Sequence, residues 1–266
     1  MSNVQRLDLG DGIVIETEVS GRGGAPWIVL SNGLGTTRDM WRPQLDLLEG
    51  AFRVLRYDTR GHGGSSTPIG PYSLDALVGD AIAVMDAHGV EKAIFMGLSM
   101  GGMTAMGLGL AHPDRLTKAI CCAARADAPP PFVQSWIDRI AMIEKGGIGS
   151  IWEGTLARWL TAETQKAAPD LVAELKADFL RTTAEGYCGC AEALKKLDYL
   201  KDLPGLAVPI LFVSGAEDMA SPSAAMRHMA DETPGSRYAE IPAVAHILNC
   251  DNPDAFNRVI AEFLGI

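Results

Sequence analysis

A serine flanked by glycines is the strongest chemical signal in the sequence. Ser99 lies at the centre of a Gly-Leu-Ser-Met-Gly segment, residues 97–101, between an apolar run and a helix-like segment that begins at Gly102. This context predicts a sharp strand-to-helix turn in which the glycines relieve crowding and the serine hydroxyl is exposed. The N-terminus of the following helix favours negative charge that develops beside it. The pattern therefore indicates that Ser99 is a nucleophile for acyl transfer.

A serine hydroxyl needs a base to react at neutral pH, and the sequence offers five histidines. His246 follows the last predicted strand and precedes the closing helix, which is where a strand-helix architecture of this kind places the base. His62 lies in a turn after the fourth predicted strand, where a structural hydrogen-bonding role competes with a contact to substrate. The remaining histidines are expected to be solvated or to cap helices: His88, His112 and His228. His246 is thus the candidate base.

Two adjacent carboxylates compete for the role of the acid that orients the histidine. Glu217 and Asp218 both follow the predicted strand that leads to Gly215. A carboxylate at this place can accept a hydrogen bond from the far ring nitrogen of the histidine, fix its tautomer and stabilise the imidazolium. The residues alone leave both carboxylates open.

Attack on an acyl carbon produces an oxyanion, which two backbone N–H groups can stabilise. One is expected from Met100, the residue after the nucleophile. The other is expected from Leu34, in a glycine-flanked loop that follows the third predicted strand. An ordinary glycine turn is the alternative reading of that loop.

Short apolar runs alternate with helical patterns along most of the chain, which is typical of a mostly parallel sheet with helices on both faces. A Gly-Asp-Gly turn at residues 10–12 predicts a hairpin between the first two strands, and Ser73 is positioned to cap a helix. Eight strands are predicted, at residues 4–9, 13–19, 27–30, 54–57, 93–97, 117–121, 210–213 and 238–241.

One region interrupts this alternation. Residues 128–200 contain no convincing strand, begin with a run of three prolines and read as several amphipathic helices. Three of the five tryptophans, Trp136, Trp152 and Trp159, fall within it. We expect a helical lid inserted after the sixth strand, over a core domain formed by residues 1–127 and 201–266. Attachment of the helices to the core is the alternative role of these tryptophans.

Composition limits the classes of partner. The chain has 266 residues and a formal net charge of −10, which argues against nucleic acid and anionic membrane surfaces as partners. It has no basic-then-apolar leader and no run of about 18 apolar residues. Five cysteines without CxxC spacing are expected to be free thiols. The sequence predicts a cytoplasmic protein that acts on a small molecule, and it leaves the oligomeric state open.

Several segments resemble the 3-oxoadipate enol-lactonases of the α/β-hydrolase superfamily, and the similarity extends over nearly the whole chain. It is carried by residues 32–37 with Met40-Trp41, by residues 52–63, 70–74, 97–103 and 123–125, and by residues 158–161 and 186–194 of the insertion. The resemblance implies the α/β-hydrolase fold and hydrolysis of a small acidic enol-lactone in the catabolism of aromatic compounds, with no metal and no organic cofactor.

The resemblance also favours Asp218 over Glu217, because the acid of the family stands three residues beyond the glycine that ends the strand. The catalytic residues are then expected to be Ser99, Asp218 and His246. Their order along the chain is the order of the α/β-hydrolases.

Two segments depart from the pattern of the family. Residues 247–250 (Ile-Leu-Asn-Cys) stand where a leucine-serine-asparagine run is usual, and Asn32-Gly33 stands where asparagine followed by serine is expected. Both lie near the reaction centre, so another lactone or an ester remains open as substrate. Other triad chemistry remains open too: a general carboxylesterase, a carbon-carbon bond hydrolase or a cofactor-free perhydrolase. The hypothesis outside the enzymes is a ligand-binding receptor that retains a nearly inactive triad.

A substrate that carries a carboxylate needs a local cation in a chain of net negative charge. Arg125 follows the sixth predicted strand, and ligands of open α/β sheets bind beyond the carboxyl ends of the strands. A guanidinium can bind a carboxylate through two parallel hydrogen bonds. We expect Arg125 to bind the substrate carboxylate and Trp136 to close over the same ligand. An ion-pair hinge is the alternative role of Arg125, and the other candidate cations are Arg38, Arg139 and Arg158.

Overall fold

The centre of the molecule is an eight-stranded sheet, seen in a computed structural model that describes residues 3–266. Its strands run in the order β1-β2-β4-β3-β5-β6-β7-β8, with β1, β2 and β4 antiparallel and all later pairings parallel. The strands are β1 (Asn3–Asp8), β2 (Val14–Gly21), β3 (Trp27–Ser31), β4 (Arg53–Tyr57), β5 (Ala93–Leu98), β6 (Leu116–Cys122), β7 (Ile210–Gly215) and β8 (Arg237–Ile241). The predicted fold is confirmed, and the strand ends differ by one or two residues.

Eleven α-helices are found within the described residues. They are α1 (Leu45–Ala51), α2 (Leu74–Ala87), α3 (Met100–Ala111), α4 (Pro130–Gly146), α5 (Trp152–Trp159), α6 (Ala162–Ala167), α7 (Pro169–Phe179), α8 (Ala184–Leu194), α9 (Ser223–Asp231), α10 (Leu248–Asp251) and α11 (Pro253–Leu264). Short 3-10 helices span Arg38–Gln44, Pro113–Arg115, Ile148–Ile151 and Leu200–Gly205. None of the helices in residues 3–266 is long and apolar enough to cross a membrane.

Local sequence explains where these elements begin and turn. Asp11 and its two flanking glycines all have positive φ, and they join β1 to β2 as the predicted hairpin. The Ser73 hydroxyl accepts a hydrogen bond of 3.1 Å from the Ala76 N–H and so caps α2. All six residues of β5 are buried, as a central parallel strand requires when helices cover both faces of the sheet.

Helices α4 to α8 lie between β6 and β7, and we call residues 128–200 the cap. Asp127 and Asp198 pair in an isolated antiparallel bridge, and the Tyr199 N–H donates to the Ala126 carbonyl at 2.7 Å. The chain thus leaves and rejoins the sheet layer at one place. Residues 1 and 2 of the expected core range lie outside the described residues, and the division into a core and a lid domain remains a prediction.

The cap touches the core through several polar contacts. The Asp178 carboxylate accepts from the Thr37 N–H at 3.1 Å and from the Thr37 hydroxyl at 2.6 Å. Gly61 and Gly186 bring their backbones so close that a β carbon on either residue would overlap with the other. These two contacts fix α7 and α8 against loops of the core.

All five cysteines have free thiols, as the sequence predicted. Four of them are buried, and Cys188 is half-buried. Burial raises the pKa of the Cys250 thiol to about 12, so this cysteine is a protonated packing residue at neutral pH.

Candidate active site

The turn at Ser99 has a backbone conformation that few side chains adopt. Its φ is 55° and its ψ is −115°, between the end of β5 and the start of α3. A β carbon on Gly97 would overlap with the Gly101 backbone, and one on Gly101 would overlap with the Ser31 carbonyl. Both glycines are therefore needed for the turn. The Ser99 N–H donates to the Cys122 carbonyl at 2.8 Å, which fixes the turn against β6.

His246 and Asp218 lie in line with this serine. The Nε2 atom of His246 is 3.0 Å from the Ser99 Oγ, and the Nδ1 atom of His246 is 2.8 Å from the Asp218 Oδ2. Both side chains of the His246–Asp218 pair are largely buried. A carboxylate oxygen accepts hydrogen bonds, so Nδ1 of His246 is the donor in this contact and carries the ring proton. Nε2 is then free to accept the proton of the serine.

The Asp218 carboxylate is also held by the backbone. Its Oδ1 atom accepts from the Ala220 N–H at 2.8 Å and from the Ser221 N–H at 3.0 Å. Glu217 is exposed to solvent instead. Of the two carboxylates that the sequence leaves open, the structure places Asp218 next to the histidine.

The two expected oxyanion donors belong to residues next to Ser99, because Met100 follows it in the chain and Leu34 lines the same cavity. A β carbon built on Gly33 would be 3.6 Å from that of Ser99, so the loop before α1 runs directly past the turn. The N–H groups of Leu34 and Met100 have no acceptor within residues 3–266. Free donors at this place could bind an oxyanion.

His62 supports this loop without lining the cavity. Its Nε2 atom accepts from the Gly35 N–H at 3.0 Å, and its Nδ1 atom therefore donates to the Arg60 carbonyl at 3.0 Å. Burial lowers the pKa of His62 to about 4, so the ring is neutral, as the acceptor role of Nε2 requires. Of the two roles open to His62, the structure favours the structural one.

A cavity of about 480 Å³ opens above Ser99 and His246. The core contributes Leu34, Met103 and the segment 219–222, and the cap contributes side chains from α4, α5 and α8. The cap residues in the wall are mainly apolar and aromatic: Pro129, Pro131, Phe132, Trp136, Trp159 and Tyr187. The size and character of the cavity suit a small ligand with an apolar body.

Three arginines and no acidic residue line this cavity among the described residues. Arg125 is paired with Asp127 at 2.9 Å. Arg139 and Arg158 have no carboxylate within 4 Å in residues 3–266, and Arg158 makes one long hydrogen bond of 3.4 Å to the Thr155 hydroxyl. Burial, and then the charge of Arg139, lower the pKa of Arg158 to about 10. Arg38 lies elsewhere, in ion pairs of the core.

Trp136 lines the same wall. Its ring is almost fully buried, and its indole N–H has no hydrogen-bond partner within the described residues. The guanidinium of Arg139 lies over the same ring, 4.4 Å from its centroid. The two guanidinium groups that have no carboxylate partner could bind the carboxylate of a ligand.

The sequence named Arg139 and Arg158 only as alternatives to Arg125. A signal for them exists in the helical spacing. Arg139 follows Trp136 by three residues, and Arg158 follows Thr155 by three, so each pair shares one face of its helix. The sequence predicts that Trp136 contacts the ligand. Because Arg139 shares its helix face, Arg139 could have been predicted to face the ligand as well.

Comparisons with known proteins agree with this geometry. The family model described as alpha/beta hydrolase fold matches residues 26–253. 3-Oxoadipate enol-lactonase 2 of Acinetobacter baylyi is 34% identical over 90% of this chain and 89% of its own length. The crystal structure of the enol-lactonase from Burkholderia xenovorans LB400 has a TM-score of 0.93 and 38% identity, covering 96% of this chain and 98% of that one.

A relative with a different name is also similar. The RutD protein of Caulobacter sp. (strain K31), whose name gives carbamate hydrolysis as a provisional activity, is 29% identical over 96% of both chains. The resemblance to 3-oxoadipate enol-lactonases that the sequence predicted is confirmed, and the chain belongs to the alpha/beta hydrolase family.

Proposed function

We propose that this protein hydrolyses a small lactone that carries a carboxylate, with 3-oxoadipate enol-lactone as the substrate. The observation that carries the proposal is the cavity above Ser99, which is lined by three arginines and no acid, two of the arginines having no carboxylate partner. In a chain with a formal net charge of −10, such a cavity concentrates positive potential where an anionic substrate would bind. A relative named for this lactone at 34% identity and a structure named as an enol-lactonase at 38% identity support the choice.

In the acylation step, the Ser99 Oγ attacks the carbonyl carbon of the ring while the His246 Nε2 removes its proton. Asp218 stabilises the imidazolium that forms. The tetrahedral oxyanion receives hydrogen bonds from the N–H groups of Leu34 and Met100, each worth about 3 kcal/mol by the usual mutational losses. The ring C–O bond then breaks, and its electron pair leaves on the enolate oxygen, which takes the proton from His246 and stays attached to the acyl chain.

In the deacylation step, water attacks the acyl carbon and gives its proton to His246. The bond to the Ser99 oxygen breaks, and that oxygen recovers the proton. The net reaction adds one water and yields a carboxylic acid and an enol, which tautomerises to the ketone. An enolate is a better leaving group than an alkoxide, so little acid assistance is needed.

We propose Arg158 as the main ligand of the substrate carboxylate, with Arg139 beside it. Arg125 also faces the cavity, but its guanidinium is already paired with Asp127. Arg158 has no carboxylate partner, so a substrate carboxylate can bind it without displacing one. At Arg125 the substrate would have to compete with Asp127, which makes binding there less favourable.

We further propose that the cap is a lid domain on the core of residues 1–127 and 201–266. Its helices supply the wall opposite Ser99, including Arg158 and Arg139, the cations we assign to the substrate. The resemblance also leads us to propose a cytoplasmic enzyme of aromatic catabolism.

The test compares two lactones that differ only in the carboxylate. We expect kcat/KM for 3-oxoadipate enol-lactone to exceed that for 5-methylfuran-2(3H)-one, the same ring with methyl in place of carboxymethyl, by at least tenfold. Ser99→Ala should abolish turnover of both while the protein remains folded by circular dichroism. Equal kcat/KM values for the two lactones would contradict the substrate assignment, and a folded Ser99→Ala variant with a tenth of the activity would contradict the nucleophile.

Carbamate hydrolysis is the second candidate, because the RutD relative covers the chain as fully as the lactonases do. A carbamate presents the same carbonyl to Ser99 and the same oxyanion to the two N–H groups. Including carbamate in the substrate comparison distinguishes the two activities, since it lacks the side-chain carboxylate for which the arginines are proposed.

A further inference from the structure

Asp251 joins the loop of the catalytic histidine to the cap. Its Oδ2 atom accepts from the Ala245 N–H at 2.7 Å, directly before His246 in the chain. The same carboxylate accepts from the Thr161 N–H at 3.3 Å and from the Thr161 hydroxyl at 3.2 Å. One half-buried side chain at the end of α10 thus holds a core loop and a cap loop together.

Backbone hydrogen bonds run between the same two segments. The His246 N–H donates to the Arg158 carbonyl at 3.3 Å, and the Ile247 N–H donates to the Trp159 carbonyl at 3.0 Å. Arg158 therefore presents its guanidinium to the cavity and its carbonyl to the backbone of the histidine. The end of α5 and the histidine loop form one hydrogen-bonded unit.

The histidine loop has little regular structure of its own. Residues 242–247 connect β8 to α10, and Ala243 has a positive φ of 53°. The loop crosses the end of β7 so closely that a β carbon on Gly215 would overlap with the Val244 carbonyl. Its position relative to the serine depends on such packing and on the hydrogen bonds just described, because no helix or strand includes His246.

We propose that Asp251 is a positioning residue that holds the His246 ring in reach of Ser99 by fixing the histidine loop to the cap. The proposal rests on the proposed function only in that His246 is taken as the base. Without the carboxylate, the Ala245 N–H and the Thr161 donors lose a shared acceptor. The loop then keeps two backbone bonds to the cap, one of them long, and the bond from the Glu217 N–H to the Val244 carbonyl at 2.9 Å. A displacement of about 1 Å at a catalytic group can lower the rate by a factor of about 100.

The test uses Asp251→Ala with Asp254→Ala as the matched control, an exposed acid three residues further along the chain. We expect Asp251→Ala to lower kcat for p-nitrophenyl acetate by a factor of 10 to 100, with KM changed less than twofold. Asp251→Asn keeps one carboxamide oxygen as acceptor and should recover part of kcat. A kcat unchanged per folded molecule, or a loss in KM alone, would overturn the proposal, as would an equal loss in the Asp254→Ala control.

A variant on the cap side tests the same link and remains informative if Asp251→Ala does not fold. Thr161→Val removes the hydroxyl donor and leaves the N–H, so it should lower kcat less than Asp251→Ala does. The Thr161 hydroxyl also accepts from the Thr164 N–H at 3.2 Å and caps α6, so part of the effect should persist when Asp251 is changed. The loss in kcat caused by Thr161→Val should be smaller in the Asp251→Asn background than in wild type, and an equal loss in both backgrounds would overturn the link to the cap.

The neutral ester separates this inference from the proposed function. If wild type hydrolyses p-nitrophenyl acetate but does not prefer the acidic lactone, the substrate proposal fails while the Asp251 variants still decide the positioning role.

Discussion

Two groups of arginines lie away from bulk solvent in this protein, and they are compensated in opposite ways. In the core, Arg60 makes two hydrogen bonds to the Asp80 carboxylate, at 2.6 and 2.5 Å, and Arg38 contacts the carboxylates of Glu16, Glu18 and Asp58. In the cavity, Arg139 and Arg158 have no carboxylate partner within the described residues. The core charges are neutralised by the fold itself, whereas the cavity charges are the ones that we propose a ligand neutralises.

This difference separates structural from functional charge. A buried cation with its carboxylate in place has little left to offer a substrate, and removal of either partner leaves a charge that the interior cannot solvate. A buried cation without a carboxylate partner lowers the stability of the free protein. We therefore infer that such a cation is kept because it binds a ligand. The predictions below test this distinction, from the largest expected effect to the smallest.

Asp80→Asn leaves the Arg60 guanidinium buried without a countercharge. We expect the free energy of unfolding to fall by about 3–5 kcal/mol, measured by urea denaturation, with KM of the remaining folded enzyme unchanged. Asp86→Asn is the control, because the Asp86–Arg115 pair is more exposed, and it should cost less than about 1 kcal/mol. Similar losses in the two variants would show that burial does not distinguish these pairs.

His62 represents a third arrangement, a buried group that stays neutral. Its pKa is lowered by burial from 6.5 to about 4, so the unfolded chain binds a proton more readily than the folded protein between these values. Stability from this group is complete above pH 6.5 and is lost as the pH falls towards 4, a change of about 3 kcal/mol. The unfolding free energy of His62→Gln should depend less on pH over this range than that of wild type or of the exposed His228→Gln control. Parallel curves for all three proteins would contradict the prediction.

Arg158→Met removes an unpaired charge from the cavity. KM for the acidic lactone should rise 10- to 100-fold, as the loss of about 1.5–3 kcal/mol of charge-assisted hydrogen bonding predicts. KM for the neutral methyl lactone should change less than twofold, and the melting temperature should not fall. The control is Arg42→Met, because Arg42 is exposed and paired with Asp39 outside the cavity. Equal KM losses on both lactones would mean that Arg158 shapes the cavity and does not bind the carboxylate.

Arg125→Met should have the smallest effect. Its guanidinium is paired with Asp127, so we expect KM for the acidic lactone to rise less than threefold in steady-state assays. A larger rise than in Arg158→Met would restore Arg125 as the main ligand, as the sequence suggested.

The sequence was sufficient for features that depend on local backbone chemistry. The turn at Ser99 was predictable because only glycine fits at positions 97 and 101, and the strands were predictable because buried parallel strands are continuous apolar runs. The choice between Asp218 and Glu217 depended on the resemblance, since both residues follow the same strand.

The arrangement of the cap could not be read in the same way. Which arginine faces the cavity depends on how α4 and α5 are rotated against the core, and which arginine is free depends on where Asp127 points. The role proposed for Asp251 depends on a contact with Thr161, 90 residues earlier in the chain, and nothing in the sequence around Asp251 indicates that contact.

The left-handed backbone of Ser99 has a consequence for how the enzyme can evolve and be engineered. A residue with a β carbon at such a φ costs the fold on the order of 1 kcal/mol or more, and alanine would keep that strain while glycine would release it. The melting temperature of Ser99→Gly should therefore be higher than that of wild type. Selection for stability alone would remove Ser99, which we propose as the nucleophile, and a screen for thermostable variants of this protein has to be coupled to turnover.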